Sequence, residues 1–289
     1  MTLCNPKALI EQAQREGWAI GAFNANTAEQ IQAIVAAADA ENAPAIVQVS
    51  HRACLYFGSG DALRGLSYFA AIGKVAAESV RVPIALHLDH AEALDVEEAL
   101  ELGFTSIMFD GSLLTYDENV RVTRVFADMA HEANVCFEAE LGEVPKPGIN
   151  EAHGEDGLTD PDEAAAFVAA TGIDLLAVAL GSMHAETEKH VALDLERLKA
   201  IRARVNLPLV LHGSSGVTDE YVAQGIKLGL SKINLSTQLN KVFTEAARTA
   251  LSDEKIVDPR KYLAPGRDAM TEAVRERIRF FGSAGKAAS

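Results

Sequence analysis

The stretch ALHLDHAEAL, residues 85–94, ends an apolar run on His87, Asp89 and His90. Ionisable side chains at the end of a buried strand lose hydration, and a fold carries that cost only if something compensates them. Chemically, such groups hold metals or move protons. Two more histidines follow later apolar runs, His184 after LLAVALG (175–181) and His212 within PLVLHG (208–213). Three neutral imidazoles leave one or two open positions on zinc, the arrangement of a catalytic rather than a structural site. Taken singly each histidine reads as an ordinary polar group; taken together on one rim, metal binding is the better reading. Asp89 could exchange a proton with a substrate hydroxyl, or hydrogen-bond an imidazole N–H and so support a ligand. Because it directly precedes His90, the two side chains are expected to diverge. His87, inside the strand, is expected to pack or to orient a neighbour.

Other apolar runs also finish on polar groups: Asn24, Ser50, Asp110, Glu140 and Asn234. Glu138 and Glu140 alternate along one run and share a face, with Glu140 nearer its end. Glu140 suits a second metal position or a ligand-orienting role, against the plainer reading of an ion pair inside a barrel. The segments HGSSGV (212–217) and INLST (233–237) are rich in glycine and hydroxyls. Gly213 and Gly216 allow close backbone approach, and Ser215, Ser236 and Thr237 supply hydroxyls. In a barrel, the loops after the last two strands commonly form a phosphate site from backbone N–H groups and a helix N-terminus.

The elements that must position these residues are short apolar strands alternating with longer amphipathic helices. The strands read as 18–24, 44–50, 83–89, 105–110, 135–141, 175–181, 208–213 and 232–236. Helical patterns cover 27–42, 96–103, 116–134, 160–172, 193–205, 218–229 and 237–251, with starts at Thr27, Asp160-Pro161 and Thr218-Asp219 and closing glycines at 103, 172 and 229. Nearly continuous apolar strands separated by helices indicate a parallel sheet buried on both faces. A doubly wound open sheet shares that local pattern, but eight units favour an α/β fold of the (β/α)8 TIM-barrel type. The expectation is a single domain, the barrel over about 17–251 and a C-terminal helical extension over about 252–289. The irregular stretch 142–159, GEVPKPGINEAHGEDGLT, is read as an active-site flap.

With 26 Lys and Arg against 41 Asp and Glu, the chain carries a net charge of −15, which repels polyanions and argues against nucleic-acid binding. Three cysteines, Cys4, Cys54 and Cys136, at irregular spacing suggest neither a disulfide framework nor a thiolate zinc site. No basic-then-apolar leader opens the chain, and no apolar run approaches the ~18 residues of a membrane helix. The expected location is the cytoplasm, with no membrane partner.

Together, HLDH, IMFDGS, EAELG, ALGSMH, LVLHGSSGV and KINLST resemble the class II, metal-dependent ketose-bisphosphate aldolases, over nearly the whole chain from Gly21 to PRKYLAPGRDAM…FGSAGKA. The resemblance implies reversible cleavage of a phosphorylated ketose, fructose 1,6-bisphosphate by default, into dihydroxyacetone phosphate and an aldehyde. Tagatose 1,6-bisphosphate or a phosphorylated deoxy-keto-gluconate are the close rivals. It implies Zn2+ on His90, His184 and His212, displaced metal at Asp110 and Glu140, and Asp89 acting on the C4 hydroxyl or the aldehyde oxygen. Gly213, Ser215, Asn234, Ser236 and Thr237 would hold the dihydroxyacetone-phosphate end, assisted by a monovalent cation (Na+ or K+), and Asn24 and Ser50 would touch substrate. The C-terminal segment resembles one that packs near subunit interfaces, implying a homodimer or homotetramer. The chain departs from the pattern in two places. Ala185 stands where the family usually has glycine, and the flap lacks the family's paired glycines, leaving Glu151 and Glu155 as candidates for its proton-moving carboxylate. Two further readings stand beside the aldolase. A zinc-dependent hydrolase would usually carry paired histidines after the first strand, where this chain has only Asn24. A sugar-phosphate-binding homologue without turnover would fit the altered flap and Ala185.

Overall fold

The computed structural model describes residues 3–145 and 157–287. Eight parallel strands close into a barrel in sequence order: β1 (Ile20–Asn24), β2 (Ala45–Ser50), β3 (Ile84–Ala91), β4 (Ser106–Phe109), β5 (Cys136–Leu141), β6 (Leu175–Val178), β7 (Leu209–Leu211) and β8 (Leu230–Leu235). β1 closes on β8 with Ala22 opposite Asn234. This is the (β/α)8 barrel that the alternation of strands and helices predicts. The sixth and seventh strands are shorter than their apolar runs, so His184 and His212 stand beyond the ladder, on the loops that leave it.

Strand alternation sorts the interior into layers. Every second residue faces inward, and the inward set runs from apolar at the strand starts to polar at their ends. Ile20, Ala22, Ile46, Ala85, Cys136, Leu175, Ala177 and Val210 form one buried cluster with Ile10 and Ala13. The last two belong to α1 (Lys7–Glu16), whose apolar face closes the floor of the barrel. One step higher, the same faces carry Asn24, Gln48, His87, Glu138 and Lys232, all buried. Apart from Ser106 at the start of β4, the inward polar side chains therefore gather towards the C-terminal mouth.

The outer ring comprises α2 (Ala28–Ala40), α3 (His51–Phe57), α4 (Ala62–Glu78), α5 (Ala93–Glu101), α6 (Tyr116–Glu132), α7 (Pro161–Thr171), α8 (Leu195–Arg204), α9 (Asp219–Lys227) and α10 (Thr237–Ala250). The sequence signals act as expected at several ends. Thr27 accepts from the Gln30 amide, Asp160 from Asp162 and Glu163, and Gly172 closes α7 in the left-handed region. α5 begins three residues earlier than its apolar period suggests, because Glu92 and Asp95 form a reciprocal capping box. α1, α3 and α4 have no counterpart among the patterns read from the sequence. α3 and α4 meet closely at Gly65, where a Cβ would lie 1.8 Å from the Cys54 carbonyl oxygen.

α11 (Pro259–Phe281) forms the C-terminal extension and folds back over α2 and α10. Its end is tied down by the Ala19 amide donating to the Phe281 carbonyl and by Arg275 and Arg279 on Glu41. No helix among the described residues is long and apolar enough to cross a membrane. Most of the segment read as a flap, with Glu151 and Glu155, lies outside the described residues.

Candidate active site

The mouth of the barrel opens into a cavity of about 390 Å³, lined among others by Asn24, Ser50, Asp89, His90, His184, Gly213, Ser215, Asn234, Ser236 and Thr237. His212 lies just beneath, fully buried, and Asp110 and Glu140 stand behind the histidines. All the residues singled out at the ends of the apolar runs therefore gather in one place.

His90, His184 and His212 each offer a ring nitrogen within 4.8 Å of the other two. Their ring centroids lie 5.1, 4.9 and 6.0 Å apart. Outer partners fix two of the rings. His90 Nδ1 faces Asp110 Oδ2 at 2.7 Å, and Asp110 is itself held by the amide and hydroxyl of Ser112. His212 Nε2 faces Glu138 Oε1 at 2.9 Å. A carboxylate behind an imidazole draws the proton to that side and leaves the opposite nitrogen bare. His90 Nε2 and His212 Nδ1 are those opposite nitrogens, and they lie 3.2 Å apart. Two lone pairs aimed at one point suit a cation, so the donor set fits a divalent metal. His90, Asp110 and Glu140 likewise bring one ligand atom each to within 4.8 Å of the other two.

Asp89 and His90 both line the cavity, contrary to the expected divergence. The reason is a break in the alternation. The β3–β4 register shifts between Leu88 and Ala91, and His90 takes a left-handed backbone with φ +51°. A bulge of this kind re-aims a side chain, and it brings His90 Nε2 to 3.9 Å from Asp89 Oδ1.

The Asp89 carboxylate is held on both oxygens. Asn24 Nδ2 donates to Oδ2 at 3.2 Å and Asn234 Nδ2 to Oδ1 at 3.3 Å. Each amide is oriented from below: Gln48 donates to Asn24 Oδ1 at 2.7 Å, and Lys232 to Asn234 Oδ1 at 2.8 Å. Burial pushes the Asp89 carboxyl up, but the imidazoles of His90 and His212 and the Lys232 ammonium outweigh it and hold the group below the usual carboxylate range. Glu138 is opposed by burial in the same way, yet the Lys232 charge and the His212 contact hold it at about 2. Burial, with the Lys232 charge, lowers His87 to about 3, and its Nδ1 meets Ser106 Oγ at 2.7 Å. His87 thus packs and pairs inside the strand, as its position suggests.

The hydroxyl-rich end is built by two loops. Gly213 has φ +63°, and a Cβ there would lie 2.6 Å from the Met183 carbonyl oxygen, so only glycine lets the β7 loop pass so close to the His184 loop. The Ser214 hydroxyl donates to the Asn234 carbonyl and joins that loop to β8. Ser236 precedes α10 without capping it through its side chain, so the free N–H groups of the first turn face the same end. Ser50 both lines the cavity and caps α3, accepting from the Ala53 amide at 3.3 Å.

Lys232, Gln48, His51, Arg52 and Glu92 belong to this site and were not anticipated. Strand alternation was the available signal for Lys232, since it shares a face with Asn234. Ala185, where the sequence departs from the expected glycine, has φ +62°. The backbone there keeps the conformation for which glycine is suited.

The chain matches the family model for class-II fructose-bisphosphate aldolase over residues 4–286. It is 40% identical over 291 residues to a fructose-bisphosphate aldolase of Geobacillus stearothermophilus, covering 100% of both chains. It is 37% identical over 299 residues to that of Streptococcus pyogenes serotype M3, covering 99% of this chain and 100% of the other. Among solved structures, the YdjI aldolase from Escherichia coli K12 superposes with a TM-score of 0.85 at 31% identity, covering 99% and 100% of the two chains. Barrel, cavity and matched length agree, and the chain belongs to the class-II fructose-bisphosphate aldolase family of lyases.

Proposed function

We propose that the cavity takes the open-chain form of fructose 1,6-bisphosphate and cleaves its C3–C4 bond into dihydroxyacetone phosphate and an aldehyde. The observation that carries the reading is the convergence of three imidazoles and a doubly held carboxylate at one end of a cavity whose other end offers backbone amides and hydroxyls. His90, His184 and His212 would hold zinc, with Asp110 and Glu140 available to a displaced ion. A divalent ion bound there supplies Lewis-acid polarisation of a carbonyl.

Gly213, Ser215, Ser236 and Thr237, with the first turn of α10, bind the C1 phosphate through N–H and O–H donors aided by the helix dipole. That contact fixes the ketone fragment along the cavity floor and sets the C4 hydroxyl toward Asp89. The C3–C4 bonding pair passes to the ketone fragment as an enediolate, which takes up a proton at C3 to give dihydroxyacetone phosphate. Asp89 is ionised at neutral pH and accepts the hydroxyl proton as the carbonyl of the departing aldehyde forms. Asn24 and Asn234 keep the carboxylate oxygens from rotating away during that transfer. In the condensation direction the same carboxyl returns the proton.

A coupled assay for dihydroxyacetone phosphate, run on fructose and tagatose 1,6-bisphosphates, tests this reading. Release is expected to stop on exhaustive chelation and to return with zinc. Asp89→Asn is expected to lower turnover by about 10²–10⁴-fold, the range of general acid–base help, while zinc content is unaltered. Activity that survives complete chelation would overturn the metal reading.

A further inference from the structure

The cavity has two ends of unlike charge. At the β7 and β8 end, glycines, serines and a threonine offer donors without a formal positive charge. At the β2 end the wall is the turn into α3, where His51 and Arg52 line the cavity. Arg52 is the only lysine or arginine on that lining among the described residues. Lys232 lies beneath the lining, fully buried and paired with Glu138 at 2.9 Å.

Arg52 is exposed, and its guanidinium takes part in no ion pair or hydrogen bond among the described residues. Glu92, the other charged residue of this wall, leans on His51 (Oε1 to Nε2, 3.7 Å) and does not pair with the guanidinium. An unpaired arginine on an open surface is ordinary. In a chain of net charge −15, one placed at the mouth of this cavity is, among the described residues of the lining, the only fixed positive charge offered to an anionic sugar. The turn that carries it is anchored: Ser50 caps it, and His51 Nδ1 meets the buried Asp95 Oδ2 at 2.6 Å. Asp95 in turn accepts from the Glu92 amide at 3.1 Å. Binding at Arg52 therefore orders little beyond its own side chain.

We propose that Arg52 is a specificity-determining residue that binds an anionic group, phosphate or carboxylate, at the end of the ketose remote from its C1 phosphate. The inference rests on the aldolase reading of this cavity. Guanidinium groups recognise both anions through paired N–H donors, and lysine reproduces the charge without the fork.

The test compares the metal-loaded wild-type chain with Arg52→Gln, Arg52→Lys and Arg52→Glu on fructose 1,6-bisphosphate and fructose 1-phosphate. The kcat/KM ratio of bisphosphate to monophosphate is expected to fall by about tenfold or more in Arg52→Gln, through KM, as for a lost charge-assisted hydrogen bond. Arg52→Lys keeps part of the ratio and Arg52→Glu lowers it further. A ketose 1-phosphate ending in a carboxylate separates the two anions, according to which substrate shows the larger dependence on Arg52. A ratio unmoved by all three substitutions, or equal losses on both substrates, would overturn the proposal. Calorimetric binding of the same ligands gives the Kd ratio without turnover. A protein that cleaves neither ketose would defeat the aldolase reading, and its Kd ratio would still decide whether Arg52 binds the remote anion.

Discussion

Glu138 lies directly under the histidine cluster, and its two oxygens face different partners. Oε1 meets His212 Nε2 and Oε2 meets Lys232 Nζ, each at 2.9 Å, with all three side chains fully buried. Glu138→Gln keeps the shape and removes the charge, leaving a buried ammonium with the Asn234 oxygen as its remaining acceptor. Removing one partner of a buried pair costs about 3–5 kcal/mol, whereas replacing both with neutral groups of similar volume is often close to neutral. Glu138→Gln and Lys232→Met should therefore each destabilise the metal-free protein by about 3 kcal/mol or more. The double variant should recover most of that, so that its loss is smaller than that of either single variant and far below their sum. Zinc affinity should behave differently. Once a neutral amide replaces the carboxylate behind His212, affinity should fall by about 10–100-fold and stay low in the double variant. Urea unfolding of the chelated chains measures the first quantity, and competition with a chromogenic chelator measures the second. Additive stability losses would refute the coupled pair. Zinc affinity restored in the double variant would refute the orienting role of Glu138.

Two other perturbations follow from single residues. Ala185→Gly relieves a left-handed alanine, a conformation costing about 1–2 kcal/mol, against about 0.4–1 kcal/mol for the added freedom of glycine in the unfolded chain. The metal-free variant should gain about 0.5–1 kcal/mol in urea unfolding, and a loss would contradict the backbone account. His87 is held neutral, with its titration lowered to about 3 by burial and then by Lys232. Above its unfolded value of 6.5 neither state carries the proton and the full stability is present. As pH falls from 6.5 towards 3, only the unfolded chain takes the proton up, and stability drops by about 1.4 kcal/mol per pH unit from this group. The His87→Gln variant should lack that component, so parallel slopes for the two proteins between pH 6 and 4 would disprove it.

The eight strands were legible because a parallel barrel buries both strand faces, and segments such as PAIVQVS leave little but strand to choose. Site residues were legible for a related reason. In a barrel whose floor is apolar, a polar group that ends an inward-facing series, such as Asn24 after Ile20 and Ala22, has only the mouth to occupy. Pairings across the interior were harder to see. Nothing in KINLS identifies Lys232 as the counter-ion of Glu138, since their residues meet only once β5 and β8 curve round the same axis. α3 was missed because HRACLYF is a helix of about two turns between a strand and a glycine, fixed by the Ser50 cap and by His51 on Asp95 rather than by a helical period. That tertiary contact is also what brings Arg52 to the cavity.

The β3 bulge shows why the remaining discrepancy sits at the site itself. Alternation puts Asp89 and His90 on opposite faces, yet both line the cavity, where the proposed proton transfer beside a metal would need them. The chain meets that demand by placing His90 in a left-handed conformation, at a cost of about 1–2 kcal/mol for a residue with a Cβ. A fold retains such strain only where surrounding contacts over-determine it. Asp110 on the His90 ring, the Met108 sulfur accepting from the His90 amide, and the resumption of pairing at Ala91–Phe109 supply those contacts. Propensity and periodicity describe what a strand does when stability alone is selected. They fail at His90 because the bulge turns two adjacent side chains into one cavity, as the proposed reaction requires.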